Sequence, residues 1–169
     1  MDETVHRLGE DETTISPTTA GEHRDLALSM AQQATRSTLI FTRDLDPAVY
    51  DTPEFLEAAS ALARRSPHSF VHVLIQDSSR ASREGHRLVS LARRLSSHVE
   101  IRRVAREYED YNQAFFVADE TGYIRRPQAD RYEGVARFRD RLAARELALF
   151  FREVWERSRA DTQLRRIHV

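Results

Sequence analysis

The chain has 169 residues, enough for one domain with its own core, and 40% apolar with 31% charged residues describe a globular rather than a disordered protein. A formal net charge of −1 gives no global attraction to nucleic acid or to acidic membrane surfaces. There is no cysteine, which excludes disulfides, thiolate nucleophiles and cysteine-ligated zinc. All 26 basic residues are arginine, so no lysine can act as a tuned base or Schiff-base nucleophile.

Residues 1–20 are acidic, rich in threonine and without a periodic apolar face, and are expected to be a disordered lead-in. An α/β domain is expected over 21–160, followed by a tail over 161–169. Leu26, Leu28, Met30 and Ala31 predict a short amphipathic helix over Glu22–Thr35. Ser37–Phe41 is a compact, partly β-branched run and predicts the first strand, closed off before Pro47. Asp51 or Thr52 caps the next helix, with Pro53 in its first turn and Arg64-Arg65 at its end. Phe70–Ile75 is apolar nearly throughout and predicts a strand covered on both faces. Arg83–Leu95 predicts a third helix and Val99–Val104 a third strand, followed by a charged link over Arg106–Asp110.

Ala114–Val117 then runs into a polar turn, Ala118-Asp119-Glu120-Thr121-Gly122, and the chain returns through Tyr123-Ile124. An apolar run, a turn with glycine and a second apolar run predict a β-hairpin. Phe115 and Val117 should share one face, with Ala114, Phe116 and Ala118 on the other. Arg131–Phe138 reads as extended and irregular, and Asp140–Ser158 as the longest helix, striped by Leu142, Leu147, Leu149, Phe150, Val154 and Trp155. Alternating strands and helices imply a mostly parallel central sheet with helices on both faces, ending in the hairpin and the long helix.

This order, with Asn112–Asp119 on the hairpin and the Phe151-Arg152-Glu153-Val154-Trp155 ending, resembles one half of a phospholipase D-like fold. The superfamily carries His-x-Lys-x(4)-Asp on that hairpin. The resemblance places its nucleophilic histidine on Asn112, its lysine on Ala114 and its aspartate on Asp119, so only the last agrees. Imidazole attacks phosphorus and lysine neutralises phosphoryl oxygens, and neither asparagine nor alanine does either. The resemblance therefore implies a degenerate, non-catalytic binding or interaction module. Because family members place two halves face to face, it also implies a homodimer or an unidentified protein partner.

In a parallel sheet, ligands bind beyond the carboxyl ends of the strands. Thr42, Arg43, Asp44 and Asp46 follow the first strand, Asp77, Ser78, Ser79 and Arg80 the second, and Arg102-Arg103 end the third. His86 and Arg87 open a helix near the same crevice. The candidate ligand-binding set is Arg43, Asp44, Asp77, His86, Arg87 and Arg103, able to grip a small phosphate or carboxylate anion with guanidinium forks, or else to satisfy one another as an ion-pair network. The alternative activity is a divergent phosphoester hydrolase using His86 with Asp77 or Asp44 as its orienting carboxylate. Paired arginines such as Arg64-Arg65 and Arg125-Arg126 are dispersed among acids and fit solvated helical surfaces. Nucleic acid is accordingly disfavoured, a regulatory nucleic-acid-binding role ranking last. No histidine pair has metal-site spacing, and no cofactor or metal is expected. No apolar run reaches the roughly 20 residues that span a bilayer, and no secretion-signal pattern opens the sequence. A cytoplasmic location without a membrane partner is the expectation.

Overall fold

The computed structural model describes residues 5–160, and the tail expected over 161–169 lies outside them. Helix α1 (Ala20–Gln33) leads into strand β1 (Ser37–Thr42), a short helix α2 (Pro47–Tyr50) and helix α3 (Pro53–Arg65). Strand β2 (Phe70–Ile75) is followed by two short helices, α4 (Ser79–Glu84) and α5 (Arg87–Arg94), and by β3 (Val99–Arg103). Strands β4 (Ala114–Ala118), β5 (Gly122–Arg126) and β6 (Val135–Arg137) precede the long helix α6 (Arg141–Arg157) and the edge strand β7 (Arg159–Ala160).

Local chemistry sets the helix starts. Thr19, Thr52 and Asp140 each accept a backbone N–H three residues on, capping α1, α3 and α6. The helix expected over Arg83–Leu95 is instead two helices. Gly85 takes φ +76 between them, a left-handed value that glycine tolerates, and His86 recaps the chain in an extended conformation. At the hairpin, Asp119 and Glu120 both adopt left-handed φ, 52° and 53°, and Thr121 N–H donates to the Ala118 carbonyl at 3.0 Å.

The seven strands form one mixed sheet in the order β6-β5-β4-β1-β2-β3-β7. β1, β2 and β3 are parallel, as their intervening helices require, and the hairpin joins β1 antiparallel through β4. The parallel part is thus confined to three strands, and β5, β6 and β7 extend the two sides antiparallel. The predicted alternation on the hairpin holds. Phe116 and Ala118 enter a core with Met30, Phe55, Leu62, Leu88 and Leu91 from the helices of one face. Phe115 and Val117 enter a core with Phe41, Leu74, Phe151 and Val154 under α6 on the other. Each large side chain so buried contributes on the order of 2 kcal/mol.

Two expectations are corrected. The segment taken for a disordered lead-in is docked over its described part, residues 5–20. Ile15 exchanges two 2.8 Å backbone bonds with Ala136 on β6, Gly9 N–H reaches the Phe138 carbonyl at 2.9 Å, and Leu8 and Ile15 pack on the first core. Two isolated apolar residues in a polar run leave no periodicity, yet they suffice where the open edge of β6 supplies backbone partners. Gly122 admits Leu8 closely: a Cβ there would stand 2.5 Å from the Leu8 Cδ1. The face-to-face pairing implied for a homodimer finds no open apolar face on the hairpin: β4 is buried throughout and flanked on both sides by strands. The exposed large apolar side chains among the described residues are Val5 and, on α6, Leu142 and Leu149.

Candidate functional site

β1, β2 and β3 end at one edge of the sheet. Because β4 runs antiparallel to β1, with Phe41 opposite Phe115, the hairpin's open end lies at that same edge. Ala114 faces Arg126 across the hairpin, and Phe115 faces Arg125. The register therefore gathers residues from five strand ends: Arg43 from β1, Gln76 and Asp77 after β2, Arg103 from β3, Asn112 and Gln113 before β4, and Arg125 and Arg126 from β5.

The bonding within this edge is uneven. Arg43 donates to the Asn112 Oδ1 at 3.0 Å, and that oxygen also receives the Ala129 N–H at 3.3 Å. Arg125 Nε donates to the Gln113 Oε1 at 3.0 Å. Both guanidiniums are thus positioned by neutral amides. Arg103 stands 3.9 Å from the Glu109 carboxylate, at the limit of an ion pair between two exposed groups. Asp44 is bonded to Arg80 at 3.1 Å and turns its other oxygen to the Asp46 N–H. Asp77 caps α4 through Ser79, accepting its Oγ at 2.7 Å and its N–H at 2.9 Å, and these bonds hold its carboxyl below the usual range.

His86 and Arg87 do not join this group. The His86 ring is buried, donating from Nε2 to the Leu45 carbonyl at 3.0 Å and accepting the Leu88 N–H on Nδ1 at 3.1 Å. Burial lowers its pKa and keeps it neutral. It bonds to neither Asp44 nor Asp77, and both nitrogens are occupied. Arg87 pairs with Asp51 at 3.1 Å. Part of the expected set is therefore an internal network: Asp44 with Arg80, Arg87 with Asp51.

Asp119 lies at the opposite end of the hairpin. Its carboxylate accepts the backbone N–H groups of Thr35, Arg36 and Ser37 at 2.8–2.9 Å, fastening the turn to the start of β1. Its work is structural.

The most buried ion pair among the described residues joins two groups that the sequence named only separately, Asp46 after the first strand and Arg126 in an arginine pair. Arg126 and Asp46 form a 3.0 Å ion pair with side chains only 12% and 11% exposed. Arg126 also donates to the carbonyls of Ala129 and Arg131 at 2.6 and 2.8 Å and lies over the Tyr132 ring. The Tyr132 hydroxyl donates to Asp46 at 3.2 Å, and burial with the Asp46 charge pushes that phenol up. Arg125 and Arg126 thus sit on a strand, not on a solvated helix. Position 126 is the place opposite Ala114, a relation visible only once the hairpin register is known. Gln76, 4% exposed, donates to the Tyr108 and Tyr111 carbonyls at 3.1 and 2.6 Å and pins the loop before the hairpin.

Among the described residues no cluster of His, Asp and Glu could hold a metal ion, and no helix is long and apolar enough to cross a membrane. The structure is similar to Nuc from Salmonella typhimurium, a phospholipase D family member, at 14% identity and TM-score 0.64 over 89% of this chain and 99% of that one. NucT from Helicobacter pylori is similar at 12% identity and TM-score 0.61, over 88% and 99%. TrmBL2, an archaeal chromatin protein with a novel mode of DNA binding, is similar at 14% identity and TM-score 0.68 over 95% of this chain, which spans 57% of TrmBL2. The fold is phospholipase D-like. With a DNA-binding protein among these likenesses, the expectation that disfavoured nucleic acid finds no support. No curated protein sequence matches the chain. The pattern described as "Domain of unknown function (DUF7931)" matches residues 19–167, and the chain belongs to that family.

Proposed function

We propose that the domain is a non-catalytic phospholipase D-like binding module that holds an anionic ligand, bearing phosphate or carboxylate, at the strand-end edge. The observation that carries this reading is the way Arg43 and Arg125 are held. Each is oriented by a side-chain amide, from Asn112 and Gln113, and neither forms an ion pair among the described residues. A guanidinium so prepared presents further N–H donors to a bidentate oxyanion at a reduced ordering cost. Arg103, weakly tied to Glu109, is the third donor of this set.

The same residues argue against turnover. Where the resemblance puts the nucleophile, Asn112 spends its oxygen on Arg43 and the Ala129 N–H, and an amide has no attacking lone pair comparable to imidazole. Where it puts lysine, Ala114 is buried. The neighbouring Arg126 is committed to Asp46 and two carbonyls. A divergent hydrolase would need His86 as its base, and that ring is enclosed with both nitrogens bonded. A homodimer remains part of the proposal, built on surfaces other than the hairpin faces. No cofactor is invoked, and the proposed setting is cytoplasmic.

The test is calorimetric titration of bis(para-nitrophenyl) phosphate into the wild type and into the Arg43→Gln/Arg125→Gln double variant. Charge-assisted bonds of this kind are worth about 1.5–3 kcal/mol, so the double variant should bind at least about tenfold more weakly. Equal affinity would remove the strand-end edge as the site. Tight binding of a short DNA duplex at this edge, with none of the small diester, would favour the nucleic-acid reading that TrmBL2 brings to mind.

A further inference from the structure

A polar cleft of ≈ 660 Å³ lies at the other end of the sheet, where the hairpin turn, the link between α1 and β1 and the first turns of α6 meet. Its walls include Arg36, Arg141 and Arg145, with Thr35, Thr121 and Gln33 between them, and Leu8 and Gly9 of the docked N-terminal segment close one side. Both carboxylates of the cleft are already engaged. Asp119 takes three backbone N–H groups, and Glu120 pairs with Arg152. Arg36 donates to the Asp119 carbonyl oxygen at 3.0 Å and forms no ion pair among the described residues.

Arg141 and Arg145 form no ion pair among the described residues. They stand at i and i+4 on α6, whose first turn holds no acidic residue. Two cations one turn apart repel, and at a helix N-terminus they also oppose the helix dipole. An anion between them would relieve this repulsion. The second observation is Thr121. It is nine-tenths buried on the cleft wall, and its Oγ1 finds no hydrogen-bond partner among the described residues. Leaving a buried hydroxyl unpaired costs about 1–3 kcal/mol, and a turn about χ1 that brings it to the cleft surface would let a ligand oxygen remove that deficit. Its own carbonyl accepts the Asp140 N–H at 2.8 Å, which holds it beside the start of α6.

We infer that this cleft is a separate binding site for a diphosphate group, gripped by Arg36, Arg141 and Arg145 and completed by the Thr121 hydroxyl. The volume lies within the range of small-molecule sites, and the charge calls for a polyanion. No aromatic side chain lines the cleft. The recognised chemistry is the phosphate chain, whether free pyrophosphate or the diphosphate of a nucleotide. The site is at the far end of the strands from the edge discussed above and does not depend on it.

The test titrates inorganic pyrophosphate and ADP into ¹⁵N-labelled protein, with calorimetry in parallel, on the wild type, Arg141→Gln/Arg145→Gln, Thr121→Val and Arg43→Gln. Pyrophosphate should move the amides of Thr121, Arg141 and Arg145. The double variant should lose at least about tenfold in affinity, Thr121→Val about threefold or more, and Arg43→Gln nothing at this site. Equal affinities for pyrophosphate and ADP identify a bare diphosphate site, and tighter ADP binding a nucleotide site. The arginines are exposed, so their replacement leaves the fold intact, which the amide spectrum verifies directly. The inference is overturned if the double variant binds like the wild type, if shifts fall only around Arg43, Asn112 and Arg125, or if pyrophosphate produces no saturable change. Binding of a short DNA duplex here without pyrophosphate or ADP would overturn it equally.

Discussion

Replacing Asp46 with alanine should destabilise the domain out of proportion to the size of the side chain. The carboxylate is one half of an ion pair whose side chains are 12% and 11% exposed, and it also accepts the Tyr132 hydroxyl. Its loss strands the Arg126 guanidinium in a site that water barely reaches, with only the Ala129 and Arg131 carbonyls left to it. Breaking a buried pair from one side typically costs 3–5 kcal/mol, and the two retained carbonyls argue for the low end, about 3 kcal/mol. Arg126→Met should cost a similar amount, because Asp46 then keeps only the Tyr132 hydroxyl as a side-chain donor. The double variant removes both charges together, and its cost should fall short of the sum by about 2 kcal/mol or more. Urea unfolding followed by the single tryptophan, Trp155, measures each value from the midpoint at constant m. Single variants costing under about 1 kcal/mol each, or a double variant equal to the sum, would refute the claim that this pair is a coupled, desolvated unit.

Installing Asn112→His with Ala114→Lys should not create robust phosphodiesterase activity. The lysine would enter a filled site opposite Arg126, costing about 1–3 kcal/mol in overpacking, and chromogenic diester turnover is the check. Phe116→Asp should unfold the domain, since residue 116 is fully buried against Tyr50 and Phe55, and circular dichroism of the purified variant decides it. Burial depresses the pKa of His23, His72 and His86, that of His72 from 6.5 to about 4. The unfolded chain therefore binds protons first as pH falls through about 6.5 towards 4, and stability should drop across that window, less steeply in His72→Phe. Urea midpoints at several pH values test the slope, and a flat profile would contradict it. Sedimentation over a wide concentration range should show a dimer near neutral pH, and a monomer at every concentration would remove self-association from the proposal.

The period of the apolar residues carried most of the fold. Phe70–Ile75 reads as a two-sided strand because it is one, and the alternation of Phe115, Phe116 and Val117 assigned the two cores before any contact was known. Three features were hidden for physical reasons. The docking of residues 5–20 depends on the edge of β6, a tertiary partner that no local pattern announces. The break at Gly85 lies inside an otherwise continuous helical stripe, and only its left-handed φ reveals it. Arg43, Asp77 and Arg103 lie at the strand-end edge, as expected, because strand ends are predictable from a parallel order. His86 was misread because burial and the engagement of both ring nitrogens are tertiary facts. Arg125 and Arg126 were read as solvated because charged pairs in sequence usually mark solvent, and only the hairpin register turns Arg126 inward opposite Ala114, toward the Asp46 that follows the first strand.

The central claim is an anion held without chemistry at the strand-end edge, and one amide-resolved titration with bis(para-nitrophenyl) phosphate tests it while the same sample is watched for nitrophenolate. The account predicts saturable shifts at Arg43, Asn112 and Arg125 and no release of nitrophenolate. Release that disappears in Asn112→Ala, or saturation with those three amides unmoved, would contradict it.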